Sequence, residues 1–166
     1  DGLLNLQGCT FASGGLTIGS TGSFTGFGIV SGSVDNTGGI TASGGALYIP
    51  GAISGSGSLT VDAGSSLSLA GGTPGAVNNS GVIYDTAGLL DIHALSGTGT
   101  LVVQSGGTLD LAGASSETIV FAGTNDAVTL GTPLLYSGTL AGFGIGDSLV
   151  LNGVTANSAK IVSGNK

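Results

Sequence analysis

Two stretches of this chain align residue against residue, and that internal repeat restricts the fold more than any other feature. Val34 to Gly71 reads VDNTGGITASGGALYIPGAISGSGSLTVDAGSSLSLAG, and Val77 to Gly113 reads VNNSGVIYDTAGLLDIHALSGTGTLVVQSGGTLDLAG. A single deletion near Gly51 brings them into register, with an offset of 43 residues before it and 42 after it. Shorter fragments recur as well: ASGG at 12–15 and 42–45, and GFGI at 26–29 and 142–145. Self-similarity at a fixed period is the signature of a stacked architecture, in which each unit buries its apolar face against the next.

Within each repeat the apolar residues alternate strictly. Leu47-Tyr48-Ile49, Leu59-Thr60-Val61 and Leu67-Ser68-Leu69 read in-out-in. So do Leu90-Asp91-Ile92, Leu101-Val102-Val103, Leu109-Asp110-Leu111, Ile119-Val120-Phe121, Val128-Thr129-Leu130 and Leu149-Val150-Leu151. Successive side chains on a strand point to opposite faces, so each triplet is a short strand with one aliphatic face. Gly, Ser, Asn and Asp separate the triplets at turn positions. No stretch carries helical periodicity.

Short strands at this spacing fit either a β-sandwich or a β-solenoid. The long repeat, the two or so core residues per strand, and the Gly-Gly and Ser-Gly corners favour an all-β, parallel β-solenoid. A repeat near 42 residues then corresponds to two coils of about 20 residues, each with two or three strands. A right-handed β-helix is expected from the usual hand of parallel crossovers. Residues 1–166 are expected to form one solenoid segment, with repeats at 34–71 and 77–113 and variant coils over 117–166. Leu59, Val61, Leu101, Val103, Leu109 and Leu111 should lie in the core.

Composition agrees with such a stack. Charged residues make up 7% of the chain, against roughly 25% in ordinary domains. There are 35 Gly and a hydrophobic fraction of 40%, so the chain is not a disordered one, which would lack regularly spaced aliphatics. The only cations besides one His are Lys160 and Lys166, and the net charge is −7. That balance speaks against nucleic acid as a partner and against anionic membrane surfaces. No apolar run approaches the roughly 18 residues that span a bilayer. The chain opens on Asp1-Gly2 without a signal peptide and is read as a mature or excised piece. The single Cys9 builds neither a disulfide framework nor a thiolate zinc site.

The runs ISGSGSLTVDAGSSLSLAG and LSGTGTLVVQSGGTLDLAG resemble the passenger regions of large Gram-negative exoproteins, the autotransporters and related repetitive adhesins. The segment 117–154, ETIVFAGTNDAVTLGTPLLYSGTLAGFGIGDSLVLNGV, resembles a unit that recurs in the same proteins. The resemblance implies secretion to the cell surface or medium, a parallel β-helix, and a role in adhesion, biofilm or surface coating. The carboxy-terminal membrane barrel of that family has no counterpart in these residues.

The carboxylates are Asp1, Asp35, Asp62, Asp85, Asp91, Asp110, Glu117, Asp126 and Asp147. Solenoid enzymes acting on acidic polysaccharides combine such groups with Arg or Lys, which bind sugar carboxylates and stabilise anionic intermediates; Arg is absent here. Stacking can bring Asp62 near Asp85 or Asp110, yet the flanking residues suggest solvated, outward carboxylates. Gly142 to Leu149 echoes a calcium-roll nonapeptide at Gly142, Asp147 and Leu149 only. Asp126, in the Gly123-Thr124-Asn125-Asp126 turn, is a similar candidate, with an Asx-type turn as the simpler reading. His93 follows Asp91 on the outward face, the arithmetic of a triad if a serine stands nearby. Phe24, Phe27, Tyr48, Tyr84 and Tyr136 are candidate platforms for sugar rings, whereas Phe11, Phe121 and Phe143 read as core. Thr98-Gly99-Thr100 alone has the spacing of an ice-binding array.

From these residues no catalytic, metal or cofactor role is assigned and no cofactor is expected. The expected function is structural: an extracellular or cell-surface solenoid serving as adhesive stalk, coat or filament. The alternatives are a carbohydrate-active β-helix enzyme and a glycan-binding module. The expected partners are a second copy meeting this chain end to end, or further coils of a longer polypeptide. The open strand Ala159-Lys160-Ile161-Val162 and the apolar start Leu3-Leu4-Asn5-Leu6 both suggest stacking of this kind.

Overall fold

The computed structural model describes residues 2–69 and 77–155. The expected strand at Ala159–Val162 and both lysines therefore lie outside the described residues. Among the described residues sixteen strands run in chain order: β1 (Leu3–Ile18), β2 (Ser23–Asn36), β3 (Gly39–Tyr48), β4 (Ile53–Gly55), β5 (Ser58–Val61), β6 (Ser66–Leu69), β7 (Val77–Asn79) and β8 (Val82–Thr86). They continue with β9 (Leu89–Ile92), β10 (Leu95–Gly97), β11 (Thr100–Gln104), β12 (Thr108–Leu111), β13 (Thr118–Phe121), β14 (Ala127–Leu130), β15 (Leu140–Ala141) and β16 (Ser148–Leu151). One 3-10 turn, Pro133–Leu135, interrupts them. Every strand pairing is parallel. The chain is a β-solenoid of about seven turns, each of about 19 residues.

The middle turns have three faces. One stacks the first half of β3 with β5, β8, β11, β13 and β15. The second stacks the end of β3 with β6, β9, β12, β14 and β16. The third stacks the end of β2 with β4, β7 and β10, and persists above β10 only as the Ser115–Tyr136 bridge. The inward residues form vertical columns. Ile40, Leu59, Ile83, Leu101 and Ile119 make one, and Leu47, Leu67, Leu90, Leu109 and Val128 make another; all are buried. The six residues expected in the core are among the buried ones.

The first turns differ from the expected short strands: β1, β2 and β3 have 16, 14 and 10 residues. Here the chain bends without leaving the sheet, at glycines and register shifts. The shifts fall between Gln7 and Cys9, between Ala12 and Gly15, and between Gly26 and Gly28. Gly26 and Gly28 have φ of +120° and +128°, where a Cβ would run into the carbonyls of Leu6 and Cys9 one turn below.

One corner explains why the sequence repeats every two turns. Asn36-Thr37-Gly38 and Asn79-Ser80-Gly81 occupy it in alternate turns, and Gly55-Ser56-Gly57 and Gly97-Thr98-Gly99 occupy it in between. Asn36 Oδ1 accepts from Gly38 N (3.2 Å), and its Nδ2 donates to Ser58 O in the turn above (2.9 Å). Asn79 Oδ1 accepts likewise from Gly81 N at 3.0 Å. The intervening glycines leave the room those amides need: a Cβ on Gly57 would lie 2.7 Å from Asn36 Nδ2, and one on Gly99 would collide with Asn79 Nδ2. An Asn-type and a Gly-type corner must therefore alternate.

Candidate functional site

The polar groups fall into an outward set and an inward set. The outward set lies on the second face. Tyr48, Ser68, Asp91, Asp110 and Thr129 form one vertical column through successive rungs. Ser68 Oγ donates to Asp91 Oδ2 (3.2 Å), and His93 Nδ1 stands 3.8 Å from Asp91 Oδ1. Serine, aspartate and histidine do meet, but both others approach the aspartate. A nucleophile needs the serine on the imidazole, with the carboxylate behind it, so this arrangement is a solvated polar cluster and not a triad. Asp91 and Asp110 are rung-mates, which places their backbones about 4.8 Å apart. Asp62 joins neither of its expected partners: Asp85 stacks between Val61 and Val103, and Asp110 between Asp91 and Thr129.

The inward set corrects the expectation of solvated carboxylates. Asp85, Glu117 and Asp126 are all buried, with exposures of 0%, 1% and 0%. Asp85 occupies a core column of Ala42, Val61, Val103 and Phe121. Its Oδ1 accepts from Gly88 N at 3.0 Å, whereas Oδ2 has no hydrogen-bond partner. Burial pushes its carboxyl up from the ordinary value to about 6, against the smaller opposing pull of the Gly88 and Thr108 amides. Glu117 Oε2 accepts from Asn79 Nδ2 (2.9 Å), two turns away in sequence, while Oε1 has no partner. Burial raises its carboxyl too, offset in part by Asn79 and the Gly99 amide. The phenol of Tyr136 donates to the backbone oxygen of Glu117 (2.8 Å), not to the carboxylate.

Asp126 shows what a fully used buried carboxylate looks like in this fold. Its Oδ2 accepts from Gly123 N in its own turn and its Oδ1 from Gly106 N in the turn below, both at 2.9 Å. Asp147 repeats the device one turn higher, accepting from Gly144 N (2.8 Å) and from Asp126 N (3.1 Å). Both oxygens of Asp147 in the calcium-roll echo are thus used, one capping its own turn and the other tying it to the turn below. Among the described residues no group of three His, Cys, Asp or Glu is placed to hold a metal ion.

The aromatic platforms divide. Tyr48 and Tyr84 are outward, at 38% and 37% exposure, but they stand in different columns. Phe24 is buried in the core instead of outward. Phe27 is half-buried, its ring held in a slot between Gly8 below and Gly44 and Gly45 above. Phe143, expected in the core, is 54% exposed and touches Phe121 edge-on, with ring centroids 5.1 Å apart. Cys9 is exposed, not buried as a small apolar residue near one end would be.

The inward aspartate had a visible signal. In Val82-Ile83-Tyr84-Asp85 the alternation puts Asp85 in phase with Ile83, and the repeat alignment sets it against Ala42, a small inward residue. No family model, curated protein or solved structure matches the chain.

Proposed function

We propose that this chain is a structural segment of an extracellular solenoid, used for adhesion or surface coating and without catalytic activity. The observation that carries the reading is the open first layer. Among the described residues β1, with 16 residues, pairs only with β2. Beneath it an open hollow of about 420 Å³ is lined by Leu3, Leu4, Leu16 and Ile18 among others, and Leu3 is 68% exposed. A long strand edge with unpaired N–H and C=O groups over an apolar hollow invites another parallel layer. That layer comes from further coils of a longer polypeptide or from a second copy. The likeness of the repeats to exoprotein passenger regions supports the extracellular setting.

The alternative is carbohydrate chemistry, and the outward Asp91–Asp110 rung beside Ser68 and His93 favours it. Incubation with pectins, alginate, glycosaminoglycans and simple esters decides between the two. No turnover is expected. A rate that disappears in Asp91→Asn or Asp110→Asn would overturn the structural reading.

A further inference from the structure

We propose that the solenoid is tightened by protons: Asp85 and Glu117 take up protons as the medium turns mildly acidic, and the stack is then harder to unfold than at neutral pH. The geometry is unusual in having two buried carboxylates, in nearby turns, each with one oxygen spent and one left over. Asp85 Oδ2 and Glu117 Oε1 have no hydrogen-bond partner. Both side chains are shut off from water, at 0% and 1% exposure. A carboxylate so placed loses its hydration and recovers only part of it, through the donor on its other oxygen, whereas a neutral carboxyl loses far less.

Among the described residues no Lys or Arg supplies a compensating positive charge. Between residues 1 and 155 the sequence has no Lys and no Arg. His93 is turned outward against Asp91. The groups packed around Asp85 are Val61 from β5, Val103 from β11 and the amides of Gly88 and Thr108; the one titratable group acting on it is Asp126, and that charge favours the protonated form further. Thr108 N is already bonded to Gly88 O at 3.0 Å. Glu117 is faced by Asn79, by the Gly99 amide and by the Tyr136 phenol. Asp126 differs at the same corner because both its oxygens are capped by amides.

The direction follows from linkage. Folding raises both carboxyls, so the folded state binds protons that the unfolded chain has released. For Asp85 the stabilisation is complete below the ordinary carboxylate value near 3.8, declines as pH rises, and is gone above about 6. A change of about two units corresponds to a folding equilibrium on the order of 100-fold more favourable at pH 4 than at pH 7.

Denaturant titrations of the full chain at pH values from 4.5 to 7.5 test this. The unfolding midpoint should fall as pH rises. Asp85→Asn should remove most of that slope and exceed the wild type at pH 7.5, and Glu117→Gln should remove a smaller part. If Asp85→Asn does not fold, Asp85→Val, which completes the Val61–Val103 column, provides the same comparison. A midpoint that is flat or rises over this range overturns the proposal, as does an Asp85→Asn slope equal to that of the wild type. So does a loss of neutral-pH stability on adding a chelator, which would mean that a bound cation neutralises these groups instead.

Discussion

The turns between Ser58 and Leu130 and the turn that follows them are written in the same alternating code, yet only the former are buried. In the middle turns, Leu101, Val103, Leu109 and Leu111 are all 0% exposed. In the last described turn the triplet Leu149-Val150-Leu151 pairs in register with Val128-Thr129-Leu130. There Leu149 is only half-buried, and Val150 and Leu151 are 48% and 40% exposed. Alternation decides which way a side chain points; a neighbour on each side decides whether it is buried. In a stack whose turns touch only adjacent turns, the same residue is worth most in the middle.

The sharpest way to break that comparison is to place a charge in each region. Leu101→Asp should put an unpaired carboxylate between Ile83 and Ile119 and cost about 4 kcal/mol or more, enough to unfold its neighbourhood. Leu151→Asp points the same charge into partly open surface and should cost about 1 kcal/mol or less. Thermal melts of the two variants measure the contrast. Equal losses would mean that position along the stack does not matter, and an unchanged Leu101→Asp would mean that its side chain does not face inward.

A smaller contrast concerns backbone. Gly97 has φ of +122°, and a Cβ there would collide with the carbonyl of Asn79. Gly153 has φ of +70° with open space around its Cβ position. Gly153→Ala bears the conformational cost alone, about 1 kcal/mol. Gly97→Ala must also push one corner off the next and should lose about 2–3 kcal/mol. Urea midpoints measure both. If the two substitutions cost the same, the alternating Asn and Gly corners are not tightly nested.

Most of the architecture was legible because it rests on local alternation and on a repeat long enough to align. Eight of the nine expected triplets have both flanking residues buried, and the ninth is Leu149-Val150-Leu151 in the last described turn. Less legible was the length of β1 and β2, since glycine bends preserve strand pairing where a turn would end it. The polar interior runs against what the sequence suggests. Placement in turns and beside leucines suggests solvated carboxylates, and Asp126 reads as an Asx-type turn, yet Asp85, Glu117 and Asp126 are buried, and the phase of Ile83 and Asp85 points Asp85 inward. Glu117 is harder to find from sequence: its partner Asn79 lies 38 residues away, beyond a turn whose glycines leave the gap open. The sequence sets His93 beside Asp91 on the outward face but singles out no serine, and only the rung register shows that Ser68 and His93 share the carboxylate without meeting each other.

The smallest expected effect on stability concerns the outermost side chains, and it bears on association. Ile145 is 97% exposed, Leu134 85% and Leu135 61%. A side chain that keeps its water in the folded protein gains little from folding, so Ile145→Ser should leave the melting temperature unchanged to within the equivalent of about 0.5 kcal/mol. Leu134 and Leu135 lie between β14 and β15, and Ile145 between β15 and β16, in the last described turns. If copies of this chain stack through that end, the same substitution should weaken their association while sparing the fold, because burying one isoleucine is worth about 2 kcal/mol, a roughly 30-fold change in an association constant. Sedimentation velocity over a range of concentrations measures this directly. Concentration-dependent growth of the wild type, diminished in Ile145→Ser at constant melting temperature, supports end-to-end stacking. Identical sedimentation of the two proteins removes this surface from the contact and leaves the β1 edge, or further coils of the same polypeptide, to continue the stack.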